Sequence, residues 1–146
     1  MSEYEIENVI RNLVDSLEKK DTDRALSTFT DDAKWFTPQG TFKGKEEIKR
    51  YLIWMANILE DLKFTYDGVG ILVQGNKGVH QSTYEASYKG IKVKVANICT
   101  YEFSDDKIKN HWTIADRLSM AKQVAAGPIA RKVVNSILSR AEEGLH

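Results

Sequence analysis

Cysteine is nearly missing from this chain. Cys99 stands alone, which excludes an intramolecular disulfide and fits a reducing compartment. Net charge is missing too: Lys plus Arg number 21 and Asp plus Glu number 21, so no overall field draws the chain to nucleic acid or to an anionic membrane. Long apolar runs are absent, since VGILV at 69–73 falls far short of the roughly 20 residues of a spanning helix. The opening MSEYEIENVI carries acids and amphipathic periodicity where a secretory leader needs a basic region and an apolar stretch. A cytoplasmic protein is therefore expected, with neither nucleic acid nor membrane as partner. The three histidines, His80, His111 and His146, have no short spacing with cysteines or carboxylates, so no metal site is indicated. Gly68, Gly70 and Gly75 fit neither a dinucleotide fingerprint nor a phosphate loop, and no nucleophile elbow occurs. No cofactor is expected.

What is present is periodicity. Ser2 and Glu5 have capping-box spacing, and Ile6, Val9, Ile10, Leu13, Val14 and Leu17 recur at three and four residues, which predicts a helix from about 3 to 19. Asp21 is placed to cap a second helix through Phe29, with Ala25, Leu26 and Phe29 on one face. TDDAKWFTPQG reads as a short strand entering a turn at Pro38 and Gly40. A third helix follows from Lys45 to about Leu59, so three helices are expected before any long strand. After Leu62, β-branched and aromatic residues dominate, and four strands are predicted at 63–74, 78–88, 91–103 and 107–116, joined by tight connections. Gly127-Pro128 opens a final helix.

Helices followed by a meander of antiparallel strands form an α+β pattern, with the helices covering one face of the sheet. A single domain over 1–146 is expected, its core at about 5–123 and its C-terminal helix at about 128–143. In strand 91–103 the odd positions, from Ile91 to Phe103, are the more apolar. In strand 107–116, alternation assigns Ile108, Asn110, Trp112, Ile114 and Asp116 to one face and His111 to the other. Both apolar rows are interrupted by polar groups: Asn97 in one, Asn110 and Asp116 in the other.

Three segments carry a resemblance: KKDTDRALSTFTDDAKWFTPQG at 19–40, FKGKEEIKRYL at 42–52 and YEFSDDKIKNHWTIADRLSMAKQ at 101–123. In this order and spacing the chain resembles the SnoaL-like polyketide cyclase group of the nuclear transport factor 2-like superfamily. The resemblance implies a curved antiparallel sheet wrapped on N-terminal helices as a cone with an internal pocket, and often a homodimer. It implies cyclase, isomerase, epoxide hydrolase or dehydratase activity, or binding alone. The residues that serve ketosteroid isomerases fall at Thr37, Leu13 and Cys99, none of which supplies that machinery. In SnoaL-like cyclases an Asp in a Trp-x-x-x-Asp segment is the general acid/base; Trp112 and Asp116 have that spacing.

Asp116 among Trp112, Ile114 and other apolar walls would have its charged form disfavoured by desolvation, raising its pKa toward the range useful for proton transfer. The alternative is that Asp116 caps the helical turn begun by RLSMAKQ. Both remain open at this point. Arg117, by parity, belongs to the opposite face. His111 has the chemistry of a proton shuttle and is the second catalytic candidate, although its parity opposes that of Asp116 unless a bulge intervenes, and an exposed-face histidine is the plainer reading. His80 shares a face with Ser82, Tyr84, Ala86 and Tyr88 that suits either the pocket or a dimer surface. Asn97 needs a partner if buried, and Asn97 or Tyr101 is placed to orient a carbonyl. Trp35, Tyr51, Trp54, Met55, Phe64, Tyr84, Tyr101 and Trp112 are the candidate lining for a small apolar or aromatic molecule, with ordinary core packing the plainer alternative at any single position. Two functions follow: a cofactor-free cyclase, isomerase or hydrolase using Asp116, and a non-catalytic ligand-binding or homodimeric assembly module.

Overall fold

The computed structural model describes residues 1–146. Helix α1 (Glu3–Glu18) starts on the capping box that the sequence encodes: the Glu5 amide donates to Ser2 Oγ at 3.1 Å and the Ser2 amide to the Glu5 carboxylate at 2.7 Å. Helix α2 (Thr22–Ser27) is capped by Asp21, whose carboxylate accepts from the Arg24 amide.

Helix α2 is shorter than its periodicity suggested, and Phe29 is not part of it. The Thr28 hydroxyl turns back to the Ala25 carbonyl at 2.7 Å, while the Thr28 carbonyl accepts from the Ile108 amide at 2.8 Å. This draws the chain out of the helix and into the sheet. Strand β1 (Phe29–Thr37) therefore begins at once, and its nine residues precede the third helix. The expectation of three helices before any long strand is corrected accordingly.

Strand β1 turns at Pro38 and Gln39 into β2 (Gly40–Lys43), and α3 (Gly44–Ile58) follows. Strands β3 (Glu60–Gln74), β4 (Lys77–Tyr88), β5 (Ile91–Ser104) and β6 (Lys107–Ala115) form the meander, and the six-stranded sheet has the order β2-β1-β6-β5-β4-β3. Every neighbouring pair is antiparallel except β1 and β6, which run parallel. Helices α4 (Arg117–Val124) and α5 (Gly127–Ala141) end the chain.

The strand register shifts at four places, and two of these irregularities bear on the interior. In β3 the register slips between Tyr66 and Ile71, where Gly68 and Gly70 take positive φ. The Gln81 side chain fills the bend by accepting from the Val69 amide at 3.1 Å, and a Cβ on Gly68 would lie 2.2 Å from that same oxygen. Glycine is favoured there by its positive φ, while the Gln81 amide, the far end of a flexible side chain, would only have to swing aside.

The second irregularity lies between β5 and β6. Glu102 faces Asn110 and Phe103 faces Ile108, so Lys109 has no partner opposite. One extra residue reverses every side chain beyond it. Ile108 points inward, but so then do His111, Thr113 and Ala115, which sit opposite the inward Tyr101, Cys99 and Asn97. Trp112 and Ile114 point outward, contrary to the uninterrupted alternation. Trp112 stacks on Phe36 of β1 on the convex side, with centroids 5.1 Å apart.

The core occupies the concave side. One cluster joins α1, α2 and α3 to β1, β5 and β6 through residues such as Ile10, Leu13, Phe29, Ile48 and Ile108, all 0% exposed. A smaller cluster around Leu59, Leu62 and Val93 meets Met120 and Val124 of α4 at the other end. Between the two clusters the interior is hollow.

Candidate functional site

The hollow has a volume of about 560 Å³ and an open mouth, within the range of pockets that take drug-sized molecules. Its walls come from α1, α3, β1, β3 to β6 and α4. Trp35 forms the centre of the aromatic wall. Its ring stacks on His111 at 4.5 Å and meets Tyr51 edge-on at 4.9 Å; His111 in turn stacks on Tyr101 at 4.4 Å. Tyr51 carries the wall outward to Trp54, and its hydroxyl donates to Gln39 Oε1 at 3.0 Å.

The polar groups of the interior form a connected set. The Trp35 indole N–H donates to Thr113 Oγ1 at 2.9 Å, and that hydroxyl lies 3.4 Å from His111 Nε2 and 3.6 Å from Cys99 Sγ. His80 places Nδ1 at 3.2 Å from the Tyr101 hydroxyl and Nε2 at 2.7 Å from Ser82 Oγ. Asn97 finds neighbours rather than remaining unpaired: its Nδ2 donates to Ser82 Oγ at 3.4 Å and approaches Cys99 Sγ at 3.5 Å. His111 Nδ1 alone is buried without a partner.

Burial sets the charge state of all these groups. It lowers the pKa of His80 from 6.5 to about 4 and that of His111 well below its ordinary value. It raises the Cys99 thiol and the Tyr84 and Tyr101 phenols, and it raises Tyr51 to about 12. Near neutral pH the deep cavity is therefore polar in places and charged nowhere.

A family model for the SnoaL-like domain matches residues 10–111. The chain belongs to the SnoaL-like domain family. Solved structures repeat the cone. A hypothetical protein with a ketosteroid isomerase-like fold from Catenulispora acidiphila, in complex with trimethylamine, superposes with a TM-score of 0.74 at 14% identity, covering 82% of this chain and 93% of its own. TsrD from Streptomyces laurentii gives 0.75 at 18% identity, covering 87% and 99%. TerC, co-crystallised with polyporic acid, gives 0.73 at 18% identity, covering 84% and 99%. At these identities the likeness establishes the fold. A search of curated proteins finds no match.

Within this SnoaL-like cone, Trp35, Tyr51, Trp54, Met55, Phe64 and Tyr84 line the cavity, as do Asn97, Tyr101, His111 and Asp116. Trp112 does not, because the extra residue at Lys109 turns it to the convex face. His111 is placed opposite to its expected exposed face for the same reason, and is 1% exposed. Arg117, assigned by parity to the far face, instead reaches the mouth, where its guanidinium donates to the Pro38 carbonyl at 2.9 Å.

Of the two readings of Asp116, the cap is the one whose geometry is present. It sits at the mouth, exposed, with Oδ1 accepting from the Ser119 amide at 2.9 Å as the N-cap of α4. The dry surroundings expected for it came from placing Trp112 and Ile114 beside it. Both side chains point away, so Asp116 is a cap at an exposed rim.

Sequence reasoning passed over Thr113, which joins three interior groups, and Gln123. The Gln123 amide accepts from the Lys94 backbone at 2.7 Å and donates to its carbonyl at 2.8 Å, clamping α4 across the cavity end of β5. A lone glutamine on a short helix carries no signal of such a role.

Neutral burial of His80 and His111 predicts acid sensitivity. Their folded pKa values lie below the unfolded 6.5, so between about pH 6.5 and 4 the unfolded chain binds more protons and stability falls with pH. His80 alone contributes a loss of about 3 kcal/mol across that window. Urea midpoints measured from pH 7 to pH 4 check this, and a flat profile contradicts it.

Proposed function

We propose that this protein binds a small, flat, largely apolar or aromatic molecule inside the cone, without a cofactor. The observation that carries the reading is the pairing of an aromatic wall with buried polar groups that are all neutral. An ionised guest would lose its hydration there with no countercharge in the deep cavity, whereas a neutral one gains apolar contact and a few directed hydrogen bonds. The complexes of structural neighbours with trimethylamine and polyporic acid support a cone of this kind as a small-molecule site.

A neutral naphthalene dye tests the reading. Its emission is expected to move to the blue on binding and to be accompanied by quenching of tryptophan fluorescence from Trp35 and Trp54. Ala115→Trp, which fills the cavity beside Asn97, is expected to abolish both changes while the circular dichroism spectrum is retained. An unshifted dye with the unaltered protein rules the reading out.

A catalytic reading, with Asp116 as general acid/base on a carbonyl compound, rests on the position of its carboxylate at the cavity mouth. Its exposure and its bond to Ser119 favour binding over this chemistry. Asp116→Asn keeps a competent cap, whereas Asp116→Ala costs about 1 kcal/mol of stability. Unchanged dye affinity in both variants is expected from a purely capping residue; loss of turnover of an identified substrate in the Asn variant, whose cap is retained, would establish the catalytic role.

The convex face supports a homodimer. Ile114, Ile98 and Trp112 are 67%, 41% and 37% exposed on one side of adjacent strands, a patch that a second copy would cover. Light scattering is expected to give a dimer for the native chain and a monomer for Ile114→Glu. A native monomer at micromolar concentration contradicts the assembly.

A further inference from the structure

Asn97, Ser82, His80 and Tyr101 form a hydrogen-bonded row across β4 and β5, and all four are buried. The direction of the row follows from counting protons. The Asn97 amide N–H donates to Ser82 Oγ, and the only other hydrogen-bond partner of that hydroxyl is His80 Nε2, 2.7 Å away; a buried Ser82 proton is therefore satisfied only if Nε2 accepts it. A neutral imidazole that accepts at Nε2 carries its proton on Nδ1. That proton is donated to the Tyr101 oxygen at 3.2 Å. Tyr101 therefore receives a hydrogen bond from behind and keeps its own O–H for the cavity, which it lines. The hydroxyl's one hydrogen-bond partner within the protein is His80, and the Cys99 thiol that also influences it is a weak acceptor.

We infer that Tyr101 is a fixed hydrogen-bond donor that recognises a neutral carbonyl oxygen on the guest, and that Ser82 and His80 are positioning residues that set its polarity. Burial that keeps His80 and Tyr101 neutral is consistent with this arrangement. The inference rests on the cavity-binding reading and adds to it the class of guest and the source of the selectivity. Asn97 belongs, on this account, to the row behind the tyrosine and not to the guest's contacts.

Acetylnaphthalene and ethylnaphthalene have nearly the same shape and differ in the carbonyl. The native protein is expected to bind the ketone about five- to tenfold more tightly, the range of one buried hydrogen bond. An isotope-labelled carbonyl should show its infrared stretch at lower frequency when bound than in hexane. Tyr101→Phe is expected to equalise the two affinities and remove the frequency shift. Ser82→Ala, which leaves the His80 tautomer unset, is expected to reduce the preference to about two- to threefold. Equal affinities in the native protein, or a preference that survives Tyr101→Phe, overturn the inference and leave cavity binding intact. A preference that survives Ser82→Ala at full strength overturns the positioning roles. Failure of both probes to bind overturns the inference together with the reading beneath it.

Discussion

Lys109 has no residue opposite it in β5, and the chemistry of the interior depends on that one unpaired position. A strand presents alternate residues to opposite faces, so a single insertion exchanges the faces for everything that follows. Without it, Trp112 and Ile114 would occupy the concave side and His111 would meet solvent. With it, His111 enters the gap between Trp35 and Tyr101, and the three rings form one continuous stack. The same slip brings Thr113 against the Trp35 indole and leaves the sheet's outer surface with Trp112 on Phe36.

The cone's interior combines two requirements that ordinarily conflict. A hollow lined by aromatic rings is a poor environment for polar side chains, yet histidine, serine, asparagine and tyrosine are all enclosed here. They persist because each, apart from His111 Nδ1, has a hydrogen-bond neighbour, and because none carries charge. Charged side chains, Asp116 and Arg117 among them, collect at the rim, where each is occupied with the backbone: one caps α4, the other holds the Pro38 turn.

The helices and most strands were legible from local pattern. The α1 cap depends on two residues three apart, and the 3.6-residue stripe of that helix is visible in its own sequence. Strands β3 to β6 announced themselves by alternation and by the turns at Lys89-Gly90 and Asp105-Asp106. The bulge was not legible, because KIKNHWT alternates equally well on either side of the extra residue and only pairing with β5 reveals it. The misplacement of Trp112 followed, as did the supposed dryness of Asp116. The end of α2 was hidden for a related reason: Thr28 leaves the helix through a bond to Ile108, eighty positions away in the chain. Trp35, Tyr51, Phe64 and Tyr101 were candidates for the wall from residue type, with core packing as the alternative, while the pairing of His80 with Tyr101 required strands β4 and β5 in register.

An uncharged interior has a further consequence for any guest that is itself a weak acid or base. The hollow acts as a small volume of low-polarity solvent with a fixed outline, and ionisation inside it is penalised for the guest as it is for His80. An acidic guest thus arrives holding its proton and an amine arrives having shed one. On the proposed binding reading, occupancy would track the un-ionised fraction of the guest, and the acidity of the solution would control loading even where no residue of the protein titrates.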